Sequence, residues 1–168
     1  MQQALAQARL ALDDGEFPVG CVLEADGHII AKGRRIGTGR DNPSELDHAE
    51  MIALRHLEIV DEPIDRARIT LYATLEPCLM CFGALLINGI GTIVYAYEDA
   101  MGGGTRCDRS RLPALYRNAD VQIVSGVMRP ESLALFKTYF SDPRFDYWRD
   151  SHLAQYTLAQ SESGNGDA

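Results

Sequence analysis

Apolar residues recur at helical spacing from Gln2 to Leu12, with Leu5, Ala8 and Leu12 on one side, so the chain opens on an amphipathic helix that Asp13-Asp14-Gly15 ends. Pro18 to Leu23 and His28 to Gly33 are short apolar runs around Asp26-Gly27, the signal of a tight β-hairpin. Gly37 to Asp47 reads as a loop. Ala49 to Leu57 returns to helical spacing, with Ala49, Ile52, Ala53 and Leu57 on one face. Ile69 to Thr74 alternates and is β-branched, which predicts a strand. Pro77 is expected to open the next helix at its first position, and that helix to run to about Ile87. Thr92 to Ala96 is a strand buried by its composition, and Gly102-Gly103-Gly104 reads as a flexible loop. Val121 to Val124 is a further strand. Helices are expected from Arg129 to about Phe140 and from Tyr147 to about Gln160. A hairpin followed by alternating strands and helices predicts one mixed sheet with helices on both faces.

The chain has 168 residues, 46% of them hydrophobic, which suits one core. No repeat or linker interrupts it, so residues 1–160 read as a single domain and 161–168 as a disordered polar tail. Apolar runs such as Phe82 to Ile87 stop at Asn88 and Gly89, well short of the roughly 20 residues of a membrane span. The first residues lack a basic segment before an apolar one, so no signal peptide is expected and the predicted location is cytoplasmic. A net charge of −8 argues against a general nucleic-acid binder. Two stretches run against that charge. Ala31 to Arg40 holds Lys32, Arg34, Arg35 and Arg40; Thr105 to Asn118 holds Arg106, Arg109, Arg111 and Arg117. They are either solvated loops or a local anion site on an acidic body.

Two short pieces carry chemistry: His48-Ala49-Glu50 and Pro77-Cys78-Leu79-Met80-Cys81. Cysteines at i and i+3 put both sulfurs on one helix face, and a helix N-terminus favours thiolate, the form that binds zinc. Alone, the pair would leave a redox reading open; a histidine beside a glutamate at the preceding helix start weakens it. If the two helix starts meet, one nitrogen and two sulfurs hold the metal and leave a fourth position open, the mark of a catalytic zinc site. Zinc there lowers the pKa of water to about 7. Glu50 is placed to move protons between that water, a ring nitrogen and a departing amine. A structural zinc site would need a fourth ligand, for which Cys107 is the one candidate. Cys21 reads as a buried packing thiol, and His28 and His56 as polar surface residues.

At these residues the chain resembles the cytidine deaminase superfamily, in the branch of bacterial tRNA adenosine deaminases and guanine deaminases, whose signature is H-x-E followed by P-C-x-x-C. The likeness extends over about residues 4 to 140, through Glu16-Phe17-Pro18-Val19-Gly20, Thr74-Leu75-Glu76-Pro77, Ile90-Gly91 and Asp99-Ala100. It implies a three-layer α/β/α sandwich with a mixed five-stranded sheet, a homodimer, zinc held by His48, Cys78 and Cys81, and a backbone N–H of Ala49 that helps orient the ring. Two departures fall at the pocket rim. Arg35 stands where the tRNA enzymes place an asparagine, and the loop from Asn42-Pro43 to His48 is about two residues longer. The end of the chain also differs: residues 129–168 are acidic on balance, whereas those enzymes tend to end in a basic helix.

Arg35 is therefore read two ways, as a surface arginine or as a pocket fork for a phosphate, a carboxylate or a base-edge acceptor. Phe145, Tyr147 and Trp148 are read as helix packing, with closure over a bound ring as the second reading. The expected function is deamination of a free base, nucleoside or nucleotide. The rivals are wobble-adenosine deamination in tRNA and a catalytically silent zinc-binding scaffold.

Overall fold

The computed structural model describes residues 1–39, 41–61 and 63–161, so the expected tail lies outside the described residues from 162 onward. In chain order the elements are α1 (Gln2–Asp13), β1 (Gly20–Ala25), β2 (His28–Arg34), α2 (Ala49–Leu57), β3 (Thr70–Leu75), α3 (Leu79–Ile87), β4 (Thr92–Tyr97), the short α4 (Ala114–Arg117), β5 (Gln122–Val124), α5 (Arg129–Ser141) and α6 (His152–Ala159). The hairpin closes as its sequence dictates. Ala25 pairs with His28, and both loop residues have positive φ, 53° at Asp26 and 83° at Gly27, the conformation that an Asp-Gly turn supplies cheaply.

The sheet order is β2-β1-β3-β4-β5. β1 is antiparallel to both neighbours, while β3, β4 and β5 run parallel. Four strands therefore point one way and only β1 the other. Helices α1 and α5 pack together on one side; α2 lies across β1 and β2 on the other and touches α3. This is the three-layer α/β/α sandwich with a mixed five-stranded sheet. Covered on both faces, β4 is buried from Ile93 to Tyr97 without a polar alternation. No helix among the described residues is long and apolar enough to cross a membrane.

Three expectations change. Helix α3 begins at Leu79 with Cys78 as its N-cap, so Pro77 sits outside the helix rather than at its first position. Cys78 is extended because it pairs with Gly103 in an isolated bridge, and the Gly104 N–H donates to the Pro77 carbonyl. The glycine run is accordingly a close-packed segment. A Cβ at Gly103 would overlap the Glu76 carboxylate, and one at Gly104 would crowd the backbone of Leu79. Finally, α6 starts at His152, capped by the Ser151 side chain, five residues later than the pattern suggests. Trp148 has φ 61°, which no α-helix accommodates, so residues 142–151 form a turned strap ahead of α6.

Gly33 in β2 lies directly against the first turn of α2, where a Cβ would overlap the carbonyl oxygen of Ala49. Gly33→Ala is expected to destabilise the fold by about 1–3 kcal/mol through overpacking. Gly83→Ala, in mid-α3 with nothing within 4 Å of the added Cβ, is expected to stabilise by up to about 1 kcal/mol. Urea unfolding midpoints of the two variants check the opposite signs.

Candidate active site and metal centre

β2 and β3 run in the same direction, so the helices that follow them, α2 and α3, both start at the same end of the strands. The N-cap of each is a metal-binding residue type: His48 for α2 (φ −67°, ψ 151°) and Cys78 for α3 (φ −65°, ψ 169°). N-caps are usually Ser, Thr, Asp or Asn, whose oxygens bond the first-turn N–H groups. Neither side chain makes such a bond here; each turns toward the other. His48 Nδ1 stands 3.5 Å from Cys78 Sγ and 3.5 Å from Cys81 Sγ. All three donor atoms lie within 4.8 Å of one another. Tetrahedral zinc with ordinary Zn–N and Zn–S bonds spaces nitrogen and sulfur about 3.6 Å apart, so the donors already fit the ion. Among the described residues Cys107 does not join this cluster. Three protein donors, with no fourth among the described residues, describe an open site, not a closed structural one.

The donor set also has the right electrostatics. The hydrogen bond from Cys81 holds the Cys78 thiol far below its usual range, at about 4, against the cost of burial, and His48 adds to the effect. Cys81 is pushed up by its bond to Cys78 and by burial. Both shifts favour the thiolate at Cys78, the form that binds zinc. Burial disfavours the charged His48 ring, but Cys78 and Glu50 outweigh it and raise its pKa.

Glu50 sits in the first turn of α2, only 2% exposed, and its Oε2 has no hydrogen-bond partner. Burial raises its pKa, with His48 pulling the other way. A buried carboxylate oxygen without a partner is costly unless a ligand or water supplies one. It faces a cavity of about 110 Å³, well below the roughly 300–1,000 Å³ of pockets for drug-sized ligands. His48, Ala49, Glu50 and Cys78 form one wall of this cavity. Ala49 is the first residue of α2, so its N–H has no partner within the helix.

Arg35 lies in the same lining and is 2% exposed, so the surface reading fails. Its Nη2 donates to the Ser44 carbonyl at 2.5 Å and to Tyr147 Oη at 3.3 Å, and lies 3.5 Å from Glu45 Oε2. Elsewhere in residues 31–40 Arg34 is paired with Asp14, Lys32 is exposed and forms no ion pair among the described residues, and Arg40 lies outside the described residues. In the second basic stretch Arg109 donates to the Ala119 carbonyl, while Arg106, Arg111 and Arg117 are exposed and form no ion pair among the described residues. His28 and His56 are exposed and Cys21 is fully buried, as their settings in the sequence suggest.

The three aromatics divide. Phe145 stacks on Tyr139 at 4.6 Å and is packing. Tyr147 and Trp148 belong to the strap and line the same cavity as Glu50, with Phe17 edge-on to Tyr147 at 5.5 Å. Three further carboxylates, to which the sequence assigns no role, line the same cavity. Glu76 is buried and accepts from the N–H groups of Asp99 (3.3 Å) and Thr105 (3.2 Å), pinning the glycine segment against Cys78. Asp99 accepts from Met101 and Gly102, and burial raises its pKa. Glu45 joins Arg35 and Tyr147. Glu76, before Pro77, and Asp99, before Ala100, both lie in segments of the family likeness; no local pattern marks Glu45.

Residues 1–97 match the family described as the cytidine and deoxycytidylate deaminase zinc-binding region. The chain is 30% identical to a tRNA-specific adenosine deaminase of Streptococcus pyogenes serotype M18, over 86% of this chain and 89% of that protein. Among solved structures it is similar to a tRNA:A34 deaminase studied for A-to-I editing at the wobble position, with 30% identity, a TM-score of 0.66, and 80% of this chain and 96% of that one covered. It shares its fold with a guanine deaminase of Nitrosomonas europaea at 20% identity and a TM-score of 0.63, covering 80% and 79% of the two chains.

His48→Ala and Cys78→Ala are each expected to lose zinc. Metal analysis after desalting should give far less than one zinc per chain in both, against about one in the unmodified protein.

Proposed function

The chain belongs to the cytidine and deoxycytidylate deaminase family of zinc-dependent C–N hydrolases, and we propose that residues 1–160 form one such unit, acting on a nucleobase-type ring presented as a free base, nucleoside or nucleotide. The observation that carries this reading is the buried, unpartnered Glu50 oxygen beside the His48–Cys78–Cys81 cluster, in a cavity of single-ring scale. His48, Cys78 and Cys81 would hold the zinc. Bound there, the ion supplies Lewis-acid activation of water, bringing its pKa toward about 7.

The chain's own residues do the rest. Glu50 accepts the proton that water gives up. It delivers that proton to the ring nitrogen beside the attacked carbon, and a second transfer lets the exocyclic amine leave as ammonia while the carbon becomes an oxo group. Its raised pKa suits a group that must hold the proton and release it within one turnover. The free N–H of Ala49 is directed at the ring from the same helix start. Arg35 holds the Ser44–Glu45 segment of the rim. Tyr147 and Trp148 cover the ring and exclude bulk water. A silent zinc scaffold would have no use for a buried proton carrier with an open lone pair.

Wobble-adenosine deamination in tRNA is the second reading. It is favoured by the relatives of that name and by the exposed Arg106, Arg111 and Arg117. The strap over the cavity and the charge of −8 favour the small ring. Free thiols at all four cysteines accord with a cytoplasmic setting. A homodimer would cover the apolar groove between α3 and α4, where Leu79 and Ile87 are each more than half exposed. Sedimentation velocity is expected to give a two-chain species.

Ammonia release from zinc-loaded protein tests the function on guanine, adenine, cytosine, their nucleosides and monophosphates, and a tRNA anticodon stem-loop. Turnover of a small molecule is expected. Release from the stem-loop alone, with salt-sensitive binding, would establish the second reading instead. Glu50→Gln is expected to lower turnover by about 10²–10⁴-fold while zinc stays near one per chain. Unchanged turnover would remove Glu50 from the chemistry.

A further inference from the structure

His48 has two ring nitrogens with different neighbours. Nδ1 faces the two sulfurs at 3.5 Å each. A ring that gives its Nδ1 lone pair to a metal carries its proton on Nε2, and that N–H needs an acceptor. On that side, among the described residues, Glu45 Oε2 stands 4.0 Å from Nε2. The separation exceeds a direct hydrogen bond but is within reach of a small side-chain rotation or one bridging water.

Glu45 is not a loose surface carboxylate, although its side chain is 58% exposed. The Tyr147 hydroxyl lies 3.0 Å from Oε2 and 3.2 Å from Oε1, and Arg35 Nη2 stands 3.5 Å from Oε2. Arg35 is a buried guanidinium, and Glu45 is its one carboxylate partner among the described residues. A buried cation holds its counter-ion strongly, so the guanidinium fixes where the carboxylate stays. The Ser44 carbonyl anchors the same guanidinium nitrogen from the residue before Glu45. Loop, strand end and strap therefore all converge on one carboxylate, and that carboxylate faces the histidine of the candidate metal centre.

We propose that Glu45 is a positioning residue for the zinc site: its carboxylate accepts from His48 Nε2–H, directly or through one water, and so holds the ring with Nδ1 turned to the sulfurs. Arg35 and Tyr147 act one step further out, by holding Glu45. The inference rests on the reading that His48, Cys78 and Cys81 bind zinc. It assigns a role to a residue that lies in neither the histidine nor the cysteine motif.

The test measures zinc affinity by chelator competition for the full chain and for Glu45→Ala, Glu45→Gln and His48→Ala, together with thermal unfolding of each zinc-free form. Glu45→Ala is expected to lower zinc-free stability, because the buried Arg35 loses its carboxylate partner, and to weaken zinc binding by about 10- to 100-fold, more than that loss accounts for. Glu45→Gln keeps an acceptor oxygen and is expected to recover most of the affinity. Wild-type affinity in Glu45→Ala would overturn the inference. So would a fall in zinc-free stability that accounts for the loss, because Glu45 would then be only a fastener of its loop. His48→Ala separates the two levels: if it also keeps wild-type affinity, the ligand assignment itself fails, whereas loss in His48→Ala with none in Glu45→Ala removes Glu45 alone.

Discussion

Two helix N-termini meet at one point, and the site depends on their meeting. The cause lies in the sheet. β1 is antiparallel to both neighbours, so β2 and β3 share a direction, and the helices after them start at the same end of the strands. Each start carries unpaired N–H groups and a partial positive charge, which favours thiolate at Cys78 and a carboxylate at Glu50. Replacing ordinary capping residues with His48 and Cys78 gives up cap bonds at two helices. A bound metal would restore the lost order by tying the two starts together. Gly33 and Gly104 complete the constraint, because side chains there would push α2 and α3 off their seats.

Much of this was legible in the chain because it is local. The bounds of α2 follow from apolar spacing, the hairpin from Asp26-Gly27, and the shared face of Cys78 and Cys81 from a separation of three residues. The metal cluster needed one further step, that two helix starts meet, and the alternation of strands and helices made that step natural. What stayed hidden is long-range. Nothing near Arg35 in sequence says that Tyr147, 112 residues away, receives one of its hydrogen bonds. Residues 147–151 have a composition compatible with helix; the contact of Tyr147 with Glu45 and the left-handed backbone of Trp148 keep them out of it. The glycine run looked flexible because its packing partner, Glu76, is more than twenty residues earlier in the chain.

The two departures at the pocket rim turn out to be one feature. Arg35 is a buried cation, and the loop before His48 brings it the Ser44 carbonyl and the Glu45 carboxylate. Without that loop the guanidinium would lack a counter-ion, and without the guanidinium the loop would lack an anchor. Charge in the sequence is therefore a poor guide to charge at the surface. Of the basic residues in the first cluster, Arg34 is neutralised by Asp14 and Arg35 is spent inside.

The strap has one more property. Trp148 is the only tryptophan in the chain, and it lines the cavity at 39% exposure. All indole emission of this protein thus arises at the mouth of its candidate active site, within a residue of the tyrosine that contacts Arg35 and Glu45. The molecule carries a built-in optical reporter: a ring seated beneath the strap must change the polarity around that indole, and binding becomes visible without any label.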